Sequence, residues 1–317
     1  MRQIMIKLVL LALILCGVLA GLNYEPGLNY DPEELRFACV VNQGFNYWRL
    51  VKEGAVQGGE DNGVYVNAAT FDFLDVDEQI RLLERALYMN VDGVITMGNP
   101  ANAELNSAID KLVSAGIPVA LIDTDSPNSK RNCYVGSDNY TIGQTAAEIL
   151  ERETGGSARV MVIVSRMDYA NQRERYQGFA DRISQYEDME IVYLLEGESD
   201  KEVVQRRLRN ALKQIEDLDA IFCAEGNSAM HIGTVLEEEN MNSDTIKVLG
   251  MENSESAKEF LKRGIYTGCL CQDGFAMGYE AAEKLKDYCE NPQKDKQIFY
   301  VDVFYIDQEN VDETREK

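Results

Sequence analysis

The amino-acid sequence predicts an α/β fold with two doubly wound parallel-sheet domains. Three observations support this prediction. Short continuous apolar segments alternate with amphipathic segments of helical period, a pattern typical of parallel strands covered by helices on both faces. The alternation runs once up to about residue 137 and then starts again. A length of 317 residues is also more than one hydrophobic core ordinarily supports.

The first half of the chain contains four predicted strands separated by helices. After a polar spacer with two prolines, the strand LRFACVV precedes a helix that starts at about Trp48. The second strand is GVYVNAA, and Asp75 with Glu78 predicts a capping box at the start of the next helix. The strand VDGVITM, the helix ELNSAIDKLVSAG and the strand IPVALID complete this half.

The second half repeats the same alternation. Each predicted helix is followed by a strand, and the pairs in chain order are NYTIGQTAAEILERETGG with ARVMVIVS, NQRERYQGFADRISQY with MEIVYLL, KEVVQRRLRNALKQI with LDAIFCA, NSAMHIGTVLEEE with TIKVLGM, SESAKEFLKRG with YTGCLCQ, and GFAMGYEAAEKLKDYC with IFYVDVFYID.

Composition excludes some classes of function and leaves others without support. The formal net charge of -23 argues against nucleic-acid binding, which needs a basic surface. No GxSxG, P-loop, HExxH or GxGxxG motif occurs, and the single histidine, His231, lies inside a helical pattern. We therefore expect neither catalysis nor a cofactor. The cysteines lack zinc-ligand spacing, so we expect no metal and mostly buried free thiols.

The N-terminus predicts export. Arg2 and Lys7 precede an apolar run over residues 8–20, which is typical of a signal peptide or an uncleaved anchor. We expect residues 1–21 to have this role and residues 22–34 to be a linker. Lipidation at Cys16 ranks below both, because Leu15 precedes it where a small residue is preferred. The mature protein would then work outside the cytoplasmic membrane, secreted or anchored.

The residues that follow the predicted strands are the candidates for a ligand site. Open α/β sheets bind ligands in a crevice beyond the carboxyl ends of their strands. Aromatic rings, amides, carboxylates and one arginine occupy these places, a set suited to stacking on a sugar ring and bonding its hydroxyls. They are Phe45, Asn46, Tyr47, Trp48, Asn99, Asp123–Asp125, Asp138, Asn139, Arg175, Glu225–Asn227, Glu252, Asn253, Gln272 and Asp273.

Over about residues 35–310 the chain resembles the type I periplasmic sugar-binding proteins, the ribose/galactose-binding family that supplies ABC importers. The segments that carry the resemblance, in order, are FNYWRLVKEGA, IPVALIDTD, VGSDNYTIGQTAAEIL, RERYQGF, GNSAMHIG, VLGMENSES and CQDGFAMG. The resemblance implies two α/β domains joined by a three-strand hinge, with the ligand between them. It implies an N-terminal domain of 35–137 plus 273–301 and a C-terminal domain of 138–272 plus 302–317.

The resemblance also implies roles for individual side chains. Tyr47 and Trp48 would stack on the sugar, and Asp123 would accept hydrogen bonds from its hydroxyls. Arg175 would donate to the ligand from the C-terminal domain. The polar ring would be completed by Asn227, Glu252 and Gln272. This chain departs from the family at Phe45 and Asn46, where an amide and a proline are usual, at Thr124, where arginine is common, and at Glu252, where aspartate is common.

Structural roles are the alternatives for these residues. Phe45 could belong to the core, and Asp123 or Asn227 could cap a helix. Arg175 could pair with its neighbour Glu174 or with another surface acid.

The partners follow from the same resemblance. We expect a monomer that binds a monosaccharide or similar small polyol and delivers it to the permease of an ABC transporter. The alternative is a sensory role, in which the closed protein docks on a membrane histidine kinase or chemoreceptor.

Overall fold

The computed structural model describes residues 34–44, 46–72 and 75–312. In this part of the chain the helices and strands are β1 (Leu35–Asn42), α1 (Asn46–Asp61), β2 (Val64–Phe71), α2 (Val76–Ala86), β3 (Gly93–Met97), α3 (Ala103–Ser114), β4 (Val119–Ile122), β5 (Cys133–Gly136), α4 (Asn139–Thr154), β6 (Ser157–Val164), α5 (Ala170–Ile183), β7 (Asp188–Glu196), α6 (Lys201–Leu212), β8 (Ala220–Cys223), α7 (Gly226–Glu238), β9 (Lys247–Met251), α8 (Glu255–Lys262), β10 (Gly268–Gln272), α9 (Gly274–Glu290), β11 (Gln297–Tyr300) and β12 (Val303–Ile306).

These strands form two six-stranded sheets of corresponding order. The first sheet has the order β11-β5-β4-β3-β1-β2, and all its pairs are parallel. The second has the order β12-β10-β9-β8-β6-β7, and only its edge strand β12 is antiparallel to its neighbour. We call the first sheet with α1, α2, α3 and α9 the first lobe, and the second sheet with α4 to α8 the second lobe. The predicted pair of doubly wound sheets is confirmed.

The chain passes between the two sheets three times. It leaves the first sheet after β5 and begins α4 with Asp138 as N-cap. It returns after β10, where Asp273 is the N-cap of α9. It passes back between β11 and β12 at residues 301–302. Three separate connections therefore lie side by side where the lobes meet.

Burial on both faces explains why the strands form. All four residues of β4 and of β8 are buried, as expected for central strands covered by helices. Each sheet packs against a separate apolar cluster on each of its two faces. Most helices start at a side chain that accepts a backbone N–H three residues on, as Asp75 does from Glu78 in the predicted capping box.

The structure differs from the sequence prediction in three places. The four-residue strand β5 was not predicted, because a polar loop precedes it and its apolar run is very short. The predicted strand IFYVDVFYID is divided into β11 and β12, which belong to different sheets. Helix α1 begins at Asn46, two residues before the predicted start.

The described cysteines are free, and five of the six are buried, as expected. None of the helices described in the structure has both the length and the apolarity needed to cross a membrane. The predicted signal or anchor and nearly all of the predicted linker lie outside the described residues, so those assignments stay predictions.

Candidate ligand-binding cleft

A cleft of about 600 Å³ lies between the lobes, at the carboxyl ends of strands from both sheets. Residues after β1, β3 and β4 line its first-lobe side, and residues after β6, β8, β9 and β10 line its second-lobe side. This is the position in which doubly wound sheets bind small molecules.

Tyr47 and Trp48 form the aromatic part of the first-lobe side. They lie in the first turn of α1, with ring centroids 5.1 Å apart in an edge-on arrangement. The Tyr47 hydroxyl donates to Asp123 Oδ1 over 3.0 Å. Trp48 lines the cleft and is also 8% exposed, packed in the apolar cluster beneath α1. It therefore joins the ligand site to the core of the first lobe.

Asp123 follows β4 and is held in an uncommon backbone conformation. Its φ is 60°, in the left-handed region that non-glycine residues seldom adopt. Its second carboxylate oxygen accepts from the Thr124 hydroxyl over 2.8 Å. Burial raises the pKa of Asp123, and Arg175 on the other lobe acts in the opposite direction. Asp123 does not cap a helix among the described elements, so this alternative is wrong.

Arg175 is the buried cation of the second-lobe side. It lies in α5 and is 3% exposed. Its Nε donates to Asn139 Oδ1 over 2.7 Å, and its Nη1 donates to the carbonyl oxygen of Ala224 over 2.9 Å. These bonds fix the guanidinium plane at the cleft wall. The alternative, a salt bridge with Glu174, does not occur within the described residues.

Glu252 and Gln272 form a hydrogen-bonded pair on the same side. Glu252 follows β9 with a φ of 68°, and its Oε1 accepts from Gln272 Nε2 over 2.8 Å. Burial raises the pKa of Glu252 to about 7, although Gln272 and Arg175 both lower it. Asp123 and Glu252 follow strands at the corresponding position of their two sheets. Each lobe therefore contributes to the cleft one acidic residue with a positive φ.

Glu225, and not Asn227, is the N-cap of α7. Its carboxylate accepts from the backbone N–H groups of Asn227 and Ser228. Burial raises the pKa of Glu225, and these hydrogen bonds lower it. Asn227 lies within the first turn, where its Nδ2 donates to the carbonyl oxygen of Ser199. The cap alternative for Asn227 is therefore wrong, and its side chain remains oriented by a loop of the second lobe.

Two buried polar atoms at the cleft have no hydrogen-bond partner among the residues that the structure describes. Asn46 Nδ2 is a donor on the first lobe, and its Oδ1 already accepts from Arg49 over 2.6 Å. Asn227 Oδ1 is an acceptor on the second lobe. Buried polar atoms are nearly always paired, so these two atoms, one on each lobe, are candidates for hydrogen bonds to a ligand.

A direct hydrogen bond connects the two walls. Asn171 Nδ2 of the second lobe donates to Thr124 Oγ1 of the first lobe over 3.3 Å. Asp123 and Arg175 also act on each other electrostatically across the same gap. The lobes are thus close enough for one small molecule to contact both.

The structure brings together the sequence-predicted residues that it describes. Asn46, Tyr47, Trp48, Asp123, Arg175, Asn227, Glu252 and Gln272 all line the cleft. Phe45 lies outside the described residues, so its role stays a prediction. His231 is not among the lining residues.

Other lining residues were not predicted from the sequence. Gln79 is in the interior of α2, where its amide donates to Thr96 and to the carbonyl oxygen of Met97. Asn171 is inside α5, and Ser199 lies in a loop with a φ of 51°. For Gln79, the available signal in the sequence was a polar residue on the apolar side of an amphipathic helix.

No group of described His, Cys, Asp and Glu side chains has an arrangement that could hold a metal ion.

Comparisons with known proteins support this fold. A family model described as periplasmic binding protein domain matches residues 37–293. The D-apiose import binding protein of Actinobacillus succinogenes is 22% identical over 269 residues, covering 83% of this chain and 85% of that protein.

Two solved structures from Geobacillus stearothermophilus are also similar. GanP, a glucose-galactose binding protein, has a TM-score of 0.82 at 27% identity, covering 88% of this chain and 99% of that one. AraP, an arabinose binding protein, has a TM-score of 0.79 at 25% identity, with coverage of 88% and 99%.

Proposed function

Because this chain belongs to the periplasmic binding protein domain family, we propose that it captures a monosaccharide or similar small polyol in the cleft between its lobes. It delivers this ligand to an ABC importer and performs no chemistry on it. The relatives named above are a D-apiose import binding protein, a glucose-galactose binding protein and an arabinose binding protein, which favours this class of ligand.

The single observation that carries the proposal is the composition of the cleft. Aromatic rings, carboxylates, amides and one guanidinium from both lobes line a cavity of about 600 Å³, with the Asn46 donor and the Asn227 acceptor unpaired. A pyranose or furanose offers flat C–H faces to aromatic rings and paired hydroxyls to carboxylates and amides. Such a site can bind a polyol, and binding requires no catalytic nucleophile.

Each lobe supplies part of the binding set. On the first lobe, Asn46 donates to the ligand, Asp123 accepts from its hydroxyls, and Tyr47 and Trp48 contact its apolar face. On the second lobe, Arg175 donates and Asn227 accepts, while the pair of Glu252 and Gln272 contacts the remaining hydroxyls. These assignments rest on the cleft positions and on the partners already described.

Binding proceeds by hinge closure. We assign residues 35–137 plus 273–301 to one moving body and residues 138–272 plus 302–312 to the other, with the three connections as the hinge. Closure surrounds the ligand with groups from both lobes, so neither lobe alone would bind it well. The bond from Asn171 to Thr124 contributes to the closed arrangement.

Transport is favoured over sensing. The relative from Actinobacillus succinogenes named above is an import binding protein, which supports a role in transport. We also propose that the protein interacts with the permease of this importer. It would work outside the cytoplasmic membrane, with an N-terminal signal or anchor.

Thermal unfolding in the presence of single sugars tests the function. A ligand that binds only the folded state increases the free energy of unfolding by mass action, by about 2.7 kcal/mol at a ligand concentration of a hundred times Kd. The melting temperature rises as a result. We expect at least one pentose or hexose to raise it, and an acyclic diol at equal concentration to leave it unchanged. A panel of sugars and small polyols without any shift would contradict the proposed ligand class.

A further inference from the structure

The cleft has more negative charge than a neutral ligand requires. Its lining contains the carboxylates of Asp72, Asp123, Glu225 and Glu252, and within the described residues its only cation is Arg175. Without Asp72, which has other interactions, three carboxylates line the cleft together with one guanidinium.

Two of these carboxylates form no ion pair with a described residue, and both residues have an unfavourable backbone conformation. Asp123 accepts from the hydroxyls of Tyr47 and Thr124, and Glu252 accepts from Gln272. Neither forms an ion pair within the described part of the chain. Both have a positive φ, at 60° and 68°. Strain of this kind, on the order of 1 kcal/mol or more per residue, tends to persist where function needs it.

The nearby cation cannot balance both carboxylates. Arg175 uses Nε on Asn139 and Nη1 on the carbonyl oxygen of Ala224, so its hydrogen bonds lie mainly within the second lobe. Glu225 differs from the other two acids, because it caps the N-terminus of α7, where the helix dipole favours a negative charge. Asp123 and Glu252 therefore share the single positive charge of Arg175, which lowers the pKa of both.

Electrostatics and aromatic rings support the same reading. Burial raises the pKa of Asp123 and that of Glu252, and each carboxylate also raises the pKa of the Tyr47 hydroxyl. Tyr47, Trp48, Phe71 and Tyr169 line the same cavity. Carboxylates next to aromatic faces are the surroundings that bind ammonium groups most favourably.

We propose that the natural ligand is an amino sugar, whose protonated amine lies between Asp123 and Glu252 while its hydroxyls occupy the remaining polar groups. This inference rests on the proposed sugar-binding function and names the class of sugar. The ammonium, with one positive charge, donates a hydrogen bond to one carboxylate from each lobe, so it also favours closure of the lobes around the ligand. Asn227 Oδ1, an unpaired acceptor, suits a ligand rich in donors.

Matched sugar pairs test the proposal by calorimetric titration of the full chain at pH 7 and low salt. The pairs are D-glucose, D-galactose and D-mannose with their 2-amino-2-deoxy derivatives, and N-acetyl-D-glucosamine is the uncharged control. A charge-assisted hydrogen bond is worth about 1.5 to 3 kcal/mol. We therefore expect one amino sugar to bind at least about tenfold more tightly than its hydroxyl counterpart.

Variants identify the groups responsible. Glu252→Gln should reduce the preference for the amine to near parity, and Glu255→Gln, at an exposed position of α8, should leave it unchanged. Neutral sugars that bind as tightly as their amines would overturn this inference and leave the proposed function standing. If the neutral sugars and the amines all fail to bind, as do all the sugars of the thermal panel, then the proposed function fails as well.

Discussion

Arg175 connects the ligand site to the interior of the second lobe. It is 3% exposed and donates in two directions, to Asn139 and to the carbonyl oxygen of Ala224. Lysine cannot supply two planar N–H groups in these directions. We expect Arg175→Lys to lower the affinity for the sugar about tenfold or more, and to lower the free energy of unfolding by about 1 to 3 kcal/mol.

Titration calorimetry and urea unfolding measure these two effects. The matched control is Arg173→Lys, two residues earlier on α5, because its exposed guanidinium donates to the carbonyl oxygen of Met167. Equal affinity of the two variants for the sugar would show that Arg175 has only a structural role.

Glu252 makes the stability of the protein depend on pH. Burial raises its pKa from the ordinary 4.5 to about 7 in the folded protein. Between these values the folded state holds the proton and the unfolded state releases it, so this group lowers stability as pH rises from about 4.5 to about 7.

Glu252→Gln removes this dependence. We expect the variant to be more stable than the original chain at pH 8, by up to about 3 kcal/mol, and to differ little at pH 4.5. Chemical unfolding of both proteins at several pH values measures the difference. A difference that stays constant between pH 4.5 and pH 8 would contradict a raised pKa at Glu252.

Much of the site was predictable at the level of single residues. Tyr47, Trp48, Asp123 and Glu252 follow strand ends, and parallel strands bring their carboxyl ends to one edge. The hydrogen bond from Arg175 to Asn139 was not predictable. Asn139 is distant in sequence, and the two side chains meet only because α4 packs on α5. Gln79 was missed because the interior of a helix carries no strand-end signal.

Each lobe contains one pair of helices packed so closely that glycines are required. In the second lobe, a Cβ at Gly143 of α4 would overlap the carbonyl oxygen of Arg175 on α5. In the first lobe, a Cβ at Gly278 of α9 would overlap that of Val51 on α1. Both pairs hold cleft residues, so helix packing fixes Arg175 and Tyr47 with respect to their sheets.

Gly143→Ala tests this packing. Because backbone must move, we expect the variant to lose about 2 to 3 kcal/mol of unfolding free energy and to bind sugar more weakly through a displaced Arg175. Gly63→Ala is the control: its φ is 67° and nothing lies near the added carbon, so it should lose only about 1 kcal/mol. Urea unfolding compares them, and an equal loss would contradict close packing of α4 on α5.

Element type was easier to predict than element boundaries. Long buried strands such as β6 and amphipathic helices such as α2 carry strong periodic signals. The division of the last apolar run into β11 and β12 depends on which sheet each half joins, which is a property of the assembled fold. The short strand β5 forms because β4 and β11 pair with it on both sides.

At the scale of the whole molecule, two lobes with corresponding strand orders place their strand ends against each other. Three chain connections join the lobes, and the bond from Asn171 to Thr124 joins the walls of the cleft. The chain has a formal net charge of -23, and a field of this sign favours the approach of cationic ligands over anionic ones. The proposed function therefore requires that a sugar binds between the lobes.

A crystal structure of the complex with the sugar that gives the largest thermal shift tests this claim most directly. We expect one sugar molecule in the cleft, within hydrogen-bond distance of Asp123 on the first lobe and of Arg175 on the second. A sugar bound outside the cleft, or touching the groups of one lobe only, would contradict it.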